Sequence, residues 1–119
     1  MIFKESKPIY QQIADRLCDE ILQGEYTDES RIPSVREYAA TLAVNVNTVV
    51  RSYEHLQNLG LIYNKRGMGY FVAPGAAQKI RTMHKAQFLS EDLPEFLAHL
   101  RQLQIPIEEV VGIYRSMQG

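Results

Sequence analysis

Apolar positions recur at helical spacing near the start of the chain. They fall every four residues, at Ile9, Ile13, Leu17 and Ile21. That spacing places them on one face of a helix. Pro8 is predicted to lie in the first turn, where a missing backbone N–H is tolerated, and Gly24 to end the helix. The pattern therefore predicts a helix that packs one face against a small core.

Two shorter helices separated by a tight turn are predicted next. Ser34 and Glu37 have the spacing of a capping box, which starts a helix that we expect to reach about Leu42. The link Ala43-Val44 then places an apolar side chain where two crossing helices meet.

The second of these helices is expected to begin after an N-cap at Asn45 and to end at Gly60. Its apolar face comprises Val49, Tyr53, Leu56 and Leu59. The other face, near the helix start, carries Asn45, Asn47, Thr48 and Arg51. Such side chains can read base edges in the major groove of DNA, and arginine can also reach phosphate. Asn and Thr are ordinary capping residues too, so these positions alone leave plain capping open.

A β-hairpin is predicted directly after these helices. Leu61-Ile62-Tyr63 and Tyr70-Phe71-Val72 are short runs of aromatic and branched residues, joined by the glycine-containing segment 64–69. Lys65 and Arg66 lie at the tip of the hairpin, where they can bind phosphate or enter the minor groove. A solvated turn is the alternative for this pair. Helix, turn, helix and hairpin in this order predict a winged helix-turn-helix.

Three further helices are predicted in the last third of the chain, after the link Ala73-Pro74-Gly75. The first covers residues 76–89, and its inward positions are expected to be Ile80, Met83 and Phe88. Asp92 is the expected cap of the second, and Pro106 opens the third. Their apolar stripes are Leu93, Phe96, Leu97, Leu100 and Leu103, followed by Ile107, Val110, Val111, Tyr114 and Met117.

These last helices are too small to enclose a ligand cavity of several hundred Å³ with a core of their own. A second copy of the chain can cover these apolar stripes. The alternative is that the stripes pack against one another in a core formed within a single chain. We expect a homodimer formed through this region. The residues assigned to it are Leu93, Phe96, Leu97, Leu100, Leu103, Val110 and Tyr114.

The predicted fold is mainly α with a small β-hairpin wing. Residues 1–74 are expected to form the winged helix-turn-helix domain, and residues 75–119 a short all-α dimerisation tail. A chain of 119 residues with 45% hydrophobic content is sufficient for one such domain and a small appendage.

The charge is distributed unevenly along the chain. The net charge is −1, which read globally argues against DNA binding. Residues 1–30 carry −4, residues 31–70 carry +3, and residues 71–119 are neutral. The positive excess therefore coincides with the predicted DNA-reading segment.

Other classes of function are poorly supported. No stretch reaches the roughly 20 apolar residues that span a bilayer, and no signal peptide is evident, so a cytoplasmic protein without a membrane partner is expected. Cys18, the single cysteine, is expected to pack in the core. His55, His84 and His99 have no ligand cluster at metal-site spacing. No phosphate-binding glycine loop or nucleophile elbow is present, so we predict no catalytic residues, cofactor or metal.

Five segments together match a known pattern. They are Pro8-Ile-Tyr-Gln-Gln-Ile13, Ile32-Pro-Ser-Val-Arg-Glu37, Val44-Asn-Val-Asn-Thr-Val49, Arg51-Ser-Tyr-Glu54 and Arg66-Gly-Met-Gly-Tyr-Phe-Val72. In this order and spacing, which cover about the first two thirds of the chain, they resemble the GntR family of bacterial transcriptional regulators. The short C-terminal tail resembles the YtrA-like branch, which implies dimerisation.

The resemblance implies DNA contacts residue by residue. Arg36 matches the DNA-contacting arginine of the family's Pro-Ser-x-Arg motif, and Ser34 lies beside it at a helix N-terminus, where amides favour phosphate. Gly67, with Arg66 before it, matches the wing tip that enters the minor groove. The start of the recognition helix, which contacts bases and phosphates, is matched by Asn45, Asn47 and Thr48.

Two departures from the family pattern bear on DNA reading. Val46 stands where many members carry arginine, so a guanine contact is lost and an apolar contact with a thymine methyl is favoured. Asp28-Glu29-Ser30-Arg31 replaces the Pro-Gly that often precedes the Pro-Ser-x-Arg motif, and we expect the turn to survive with a different backbone.

The expected function is that of a sequence-specific DNA-binding transcriptional regulator, a homodimeric repressor on an inverted-repeat operator. The residues assigned to DNA binding are Ser34, Arg36, Asn45, Val46, Asn47, Thr48, Arg51, Lys65, Arg66 and Gly67. A winged-helix module that binds protein instead of DNA is the alternative. The sequence leaves open the operator, the regulated genes and any small-molecule effector.

Overall fold

The computed structural model describes residues 7–117. Its elements are the helices α1 (Ile9–Leu22), α2 (Val35–Leu42) and α3 (Val46–Asn58), the strands β1 (Ile62–Lys65) and β2 (Gly69–Val72), and the helices α4 (Ala76–Gln87), α5 (Leu93–Gln102) and α6 (Ile107–Ser116). The chain divides into two compact units, residues 1–81 and 82–119. The predicted fold class, mainly helical with a β-hairpin wing, is confirmed.

Helix α1 packs one face into the core of the first unit. Its buried residues are Ile13, Ala14, Leu17, Cys18 and Ile21. Pro8 is the residue that precedes the helix. Ile9, expected on the buried face, is 62% exposed, and that expectation is wrong. The reason is its place at the N-terminal end of α1, one turn before the first core residue, Ile13.

Helix α2 and the turn after it form as their local signals predict. Ser34 Oγ accepts the N–H of Glu37, and Glu37 Oε1 accepts the N–H of Ser34, both at 3.1 Å, which completes the capping box. The helix ends at Leu42, and Ala43 then adopts a left-handed conformation with φ 56° and ψ 47°. This turn directs the side chain of Val44 against the core.

Helix α3 packs against both α1 and α2. Asn45 caps it, since its Oδ1 accepts the N–H of Asn47 at 2.8 Å. Its buried residues are Val49, Ser52, Tyr53 and Leu56, which include the predicted apolar face, while Leu59 is partly buried against the core. Gly60 follows with φ 74°, in the left-handed region that glycine favours.

The predicted hairpin is confirmed as an antiparallel pair. Ile62 lies opposite Val72, and Lys65 opposite Gly69, so residues 66–68 form the connecting loop. Val72 and Ile62 are buried, whereas the other end of the hairpin projects into solvent. The hairpin is the wing, and its outer end is the wing tip.

A short segment before α2 also pairs with β2, which the sequence did not predict. The N–H of Val72 donates to the carbonyl of Ser30 at 3.0 Å. Glu29 adopts φ 62°, so the turn keeps a left-handed residue at this point without a glycine. Asp28 Oδ2 accepts the N–H of Gly75 at 3.0 Å, which ties this segment to the start of α4.

The boundary between the units falls inside α4. Ala76 and Ile80 are buried in the core of the first unit, as predicted for Ile80. The division after Arg81 follows from this packing. The domain boundary expected between residues 74 and 75 stays a prediction.

In the second unit, α4 runs through a π-helical turn, Phe88–Asp92, into α5. The predicted cap at Asp92 is wrong, because this residue has helical angles of φ −77° and ψ −40° and makes no cap hydrogen bond. Leu93 donates its N–H to the carbonyl of Phe88, five residues earlier. Pro94 comes next and lacks an N–H, so the wider turn accommodates a residue that cannot continue the ordinary pattern.

Much apolar surface of the second unit is exposed. Phe88, expected to face inward, is 50% exposed at the start of the π-helical turn, so that expectation is wrong. Leu100 is the one buried hydrophobic residue of this unit within the described range. The large exposed hydrophobic side chains are Phe88, Leu89, Phe96, Leu97, Leu103, Ile107, Val111, Ile113, Tyr114 and Met117. A unit of this size does not bury its own apolar stripes.

Candidate nucleic-acid interface

Five exposed basic side chains of the first unit lie on α2, α3, the wing and the segment just before α2. They are Arg31, Arg36, Arg51, Lys65 and Arg66. None of the five has a carboxylate oxygen within 4 Å among residues 7–117, where Lys7 pairs with Asp15. Guanidinium and ammonium groups without acidic partners are available to phosphate oxygens.

The first turn of α3 is open to solvent. Asn45, Val46 and Asn47 are all exposed, and Thr48 is half-buried. Asn45 uses its Oδ1 in the cap, so its side-chain NH2 is the group that remains for a base or a phosphate. Val46 is 39% exposed, which leaves its methyl groups able to contact an apolar part of a base.

Asn47 and Arg51 lie one helical turn apart, so they share a face of α3. The core-facing residues Val49 and Tyr53 lie on the opposite side of the same turns. The amide of Asn47 can make paired hydrogen bonds to adenine, and the guanidinium of Arg51 can do the same with guanine. This face therefore has the chemistry of a base-reading surface.

The side chain of Arg51 packs on an aromatic ring from another helix. Its guanidinium carbon lies 4.2 Å from the ring centroid of Tyr10 in α1. The ring of Tyr10 in turn meets the imidazole of His55 edge-on, with centroids 5.8 Å apart. Sequence reasoning found Arg51 but missed Tyr10, because only the fold brings these residues together.

The N-terminus of α2 carries an arginine beside a carboxylate. Arg36 is exposed in the first turn, while the hydroxyl and the amide of Ser34 are both engaged with Glu37. These hydrogen bonds from the Ser34 backbone and side chain lower the pKa of the Glu37 carboxyl. At this end of α2, the group that is more accessible to a phosphate is therefore the guanidinium of Arg36 rather than the backbone amide of Ser34.

The wing tip is a tight turn that begins with two adjacent basic residues, Lys65 and Arg66. The N–H of Met68 donates to the carbonyl of Lys65 at 2.9 Å, and Gly67 adopts φ 78°. A side chain at Gly67 would be strained, so glycine is required by this turn. Lys65 Nζ lies 5.0 Å from the ring centroid of Phe71, and Arg66 extends into solvent.

Arg31 is a further basic residue of this surface that the sequence interpretation did not select. It forms an isolated β-bridge with Phe71, and its side chain passes over Gly69. A Cβ at Gly69 would lie 3.2 Å from Arg31 Nε, so the missing side chain makes room for the guanidinium. Only its position beside α2 in the sequence could have suggested Arg31.

Tyr53 joins α3 to both α2 and the wing. Its hydroxyl donates to the carbonyl of Pro33 at 2.7 Å, just before α2. Its ring meets that of Tyr70 in β2 edge-on, with centroids 5.0 Å apart. These contacts fix α2, α3 and the wing with respect to one another through a single buried side chain.

Other chemistry has little support in the described part of the chain. Burial raises the pKa of the Cys18 thiol to about 12, and the carboxylates of Asp15 and Asp19 add to the effect, so the thiolate is scarce at neutral pH. Across residues 7–117, no group of three His, Cys, Asp or Glu side chains could hold a metal ion. No helix in that range is long and apolar enough to cross a membrane.

The residues assigned to dimerisation lie in the second unit and differ in exposure. Leu100 is buried, and Leu93 and Val110 are half-buried. Exposed members of the set are Phe96, Leu97, Leu103 and Tyr114. The residues assigned to dimerisation therefore include one side chain buried inside the unit, Leu100, and four that form an exposed apolar surface.

Comparison with known families gives a direct match. The model of the family described as "Bacterial regulatory proteins, gntR family" matches residues 9–72, from the start of α1 to the end of β2. The chain belongs to the GntR family. It is accordingly a DNA-binding transcriptional regulator, as the resemblance predicted.

Relatives within the GntR family extend over nearly the whole chain. The sequence is 36% identical to the HTH-type transcriptional regulator YhcF of Bacillus subtilis, over 98% of this chain and 96% of that protein. It is 28% identical to the HTH-type transcriptional repressor YtrA of the same organism, over 90% of this chain and 82% of that one. The predicted similarity to the YtrA-like branch is confirmed.

A solved GntR-family structure matches the fold. The crystal structure of a putative transcriptional regulator of the GntR family from Bacteroides thetaiotaomicron shares 53% sequence identity with this chain. The alignment covers 92% of this chain and 96% of that one, with a TM-score of 0.78.

Proposed function

We propose that this GntR-family regulator is a homodimeric repressor that binds an inverted-repeat operator through α2, α3 and the wing. The observation that carries the proposal is the exposure of four basic residues on these elements, Arg36, Arg51, Lys65 and Arg66, with no carboxylate oxygen within 4 Å in the described chain. The proposal implies a cytoplasmic location, because bacterial operators lie there.

Base reading is assigned to the opening of α3. We expect Asn47 and Arg51 to contact base edges in the major groove, and Val46 to contact a thymine methyl group. Their exposure and their position on the first two turns of α3 support this assignment. Asn45 and Thr48, at the same end of the helix, would contact bases or phosphates.

Orientation on the duplex is assigned to α2 and the wing. Arg36, Lys65 and Arg66 would contact phosphates, with Ser34 beside Arg36 and Gly67 bringing the wing tip close to the minor groove. Arg31 joins this group because its guanidinium lies against the same hairpin. Phosphate contacts fix the register of a protein on DNA, and base contacts supply the specificity.

Dimerisation is assigned to the exposed apolar surface of α5 and α6. Two observations support it: the many large hydrophobic side chains left uncovered there, and the small number buried within the unit. A two-fold dimer presents two copies of α3, which matches two half-sites of opposite orientation. Repression, rather than activation, is proposed because the relative YtrA is described as a repressor.

Selection from a library of random DNA duplexes tests the proposal. We expect enrichment of an inverted repeat whose half-sites are separated by about one helical turn, roughly 10 base pairs, or a multiple of it. The alternative function is a winged-helix module that binds protein. That alternative would be favoured if no DNA sequence is enriched and if the affinity of the protein for DNA does not depend on the salt concentration.

A further inference from the structure

We propose that Tyr10 of α1 is a positioning residue for DNA recognition, because it holds the guanidinium of Arg51 in the orientation that contacts DNA. This inference rests on the proposed function and adds to it a residue that does not itself reach the bases. It also gives α1 a part in operator recognition beyond packing.

The first step is the geometry of the stack. The Arg51 guanidinium carbon lies 4.2 Å from the centroid of the Tyr10 ring, well inside the distance at which a cation is attracted to an aromatic face. A guanidinium carries five N–H donors in a planar fork, and a ring on one side of the group cannot engage all of them. The stacked arginine can therefore still make paired hydrogen bonds.

The second step is the fixation of Tyr10 itself. Ser52 Oγ, buried in α3, donates to the backbone carbonyl of Tyr10 at 2.7 Å, which ties the start of α1 to the recognition helix. The edge-on contact with His55 limits movement of the ring on another side. Ser52 and His55 both belong to α3, as does Arg51, so these three residues and Tyr10 form one local arrangement.

The third step is the energetic consequence. A free arginine side chain loses much rotational freedom when it binds a base or phosphate, whereas a stacked one has lost part of that freedom beforehand. Within residues 7–117 no carboxylate pairs with Arg51, so the ring is its principal partner. The stack thus orients the positive charge without neutralising it.

Affinity measurements with a double-mutant cycle test the inference, with the duplex enriched by the wild-type chain as probe. Tyr10→Leu is expected to weaken binding about two- to fivefold, whereas Tyr10→Phe, which keeps the ring, restores most of the affinity. In an Arg51→Ala background, Tyr10→Leu should cause little additional loss. Thermal unfolding of each variant checks that the fold persists.

NMR of the free protein provides a second readout that a purely structural role of Tyr10 does not predict. The Hε proton of Arg51 should be shifted by the ring current in the wild type and in Tyr10→Phe, and the shift should disappear in Tyr10→Leu.

Independent effects of Tyr10→Leu and Arg51→Ala on affinity would overturn the inference while leaving the DNA-binding proposal intact. An unchanged Arg51 Hε signal in Tyr10→Leu would overturn it as well. Absence of any enriched duplex would instead remove the proposed function, and this inference with it.

Discussion

The hydroxyl of Tyr53 donates a hydrogen bond to the carbonyl of Pro33 across 20 residues of sequence. Tyr53 lies in the recognition helix, and Pro33 precedes the capping box of α2. Because the same ring also meets Tyr70 of the wing, one side chain connects α2, α3 and the wing. The proposed DNA interface therefore depends on a buried residue that cannot touch DNA.

Tyr53→Phe should destabilise the protein by about 1–2 kcal/mol, since the Pro33 carbonyl loses its donor while the ring contacts remain. Urea unfolding measures the change. Tyr63→Phe is the matched control, because this half-buried tyrosine of β1 stacks on Phe71 and its hydroxyl has no partner among the described residues. Equal effects of the two substitutions would show that the Pro33 hydrogen bond contributes nothing specific.

Arg31→Ala should weaken DNA binding with little effect on stability, because the side chain is exposed and lies on the wing side of the first unit. If Arg31 contacts one phosphate, the slope of log K against log salt should become less steep by about 1. Arg16→Ala removes an equal charge from α1 and should leave that slope unchanged. An identical salt dependence for Arg31→Ala and the wild type would remove Arg31 from the interface.

Ser34→Ala should raise the pKa of Glu37 part of the way back toward 4.5, because it removes the side-chain hydrogen bond of Ser34 while the larger effect, the hydrogen bond from the backbone N–H of residue 34, remains. A folded-state pKa below the unfolded value contributes stability above about pH 4.5, and that contribution is lost as the pH falls through the folded value. NMR titration of the Glu37 side chain measures the shift. Thr41→Ala, on the same helix, should leave it unchanged. Equal pKa values in Ser34→Ala and wild type would show that the Ser34 hydroxyl does not contribute to the lowered pKa.

Tyr114→Glu should convert the proposed dimer to a monomer, since it places a charge on a side chain that is 64% exposed within the proposed interface. Light scattering at micromolar concentration should give about twice 13.7 kDa for the wild type and the single mass for the variant. Gln102→Glu, at an exposed polar position of α5, is the control and should remain dimeric. A monomeric wild type would contradict the proposed assembly.

Local signals were sufficient to predict the helix-turn-helix and the wing. Ser34 with Glu37, and Asn45 with Asn47, form the caps expected from their spacing, because capping depends on residues two or three positions apart. Gly67 occupies a left-handed position that its turn requires. These features are encoded within a few residues, so a single sequence reveals them.

Contacts between distant segments could not be predicted in the same way. Arg51 meets Tyr10, and Ser30 pairs with Val72, only after the chain has folded, and neither contact has a periodic signature. An acidic residue before an apolar run is typical of a cap, so the pattern predicts a helix start at Asp92, where the structure has a helical turn. The π-helical turn that carries the chain past Pro94 has no comparable local signal.

The salt dependence of operator binding tests the central claim most directly. Affinity for the selected duplex would be measured for the wild type and for Arg36→Ala between about 50 and 200 mM salt, a range over which phosphate contacts weaken strongly. The account predicts a steep decline for the wild type, a slope less steep by about 1 for Arg36→Ala, and a folded variant by thermal unfolding. A wild-type affinity that stays constant across this range would contradict the assignment of the basic face of α2, α3 and the wing to DNA.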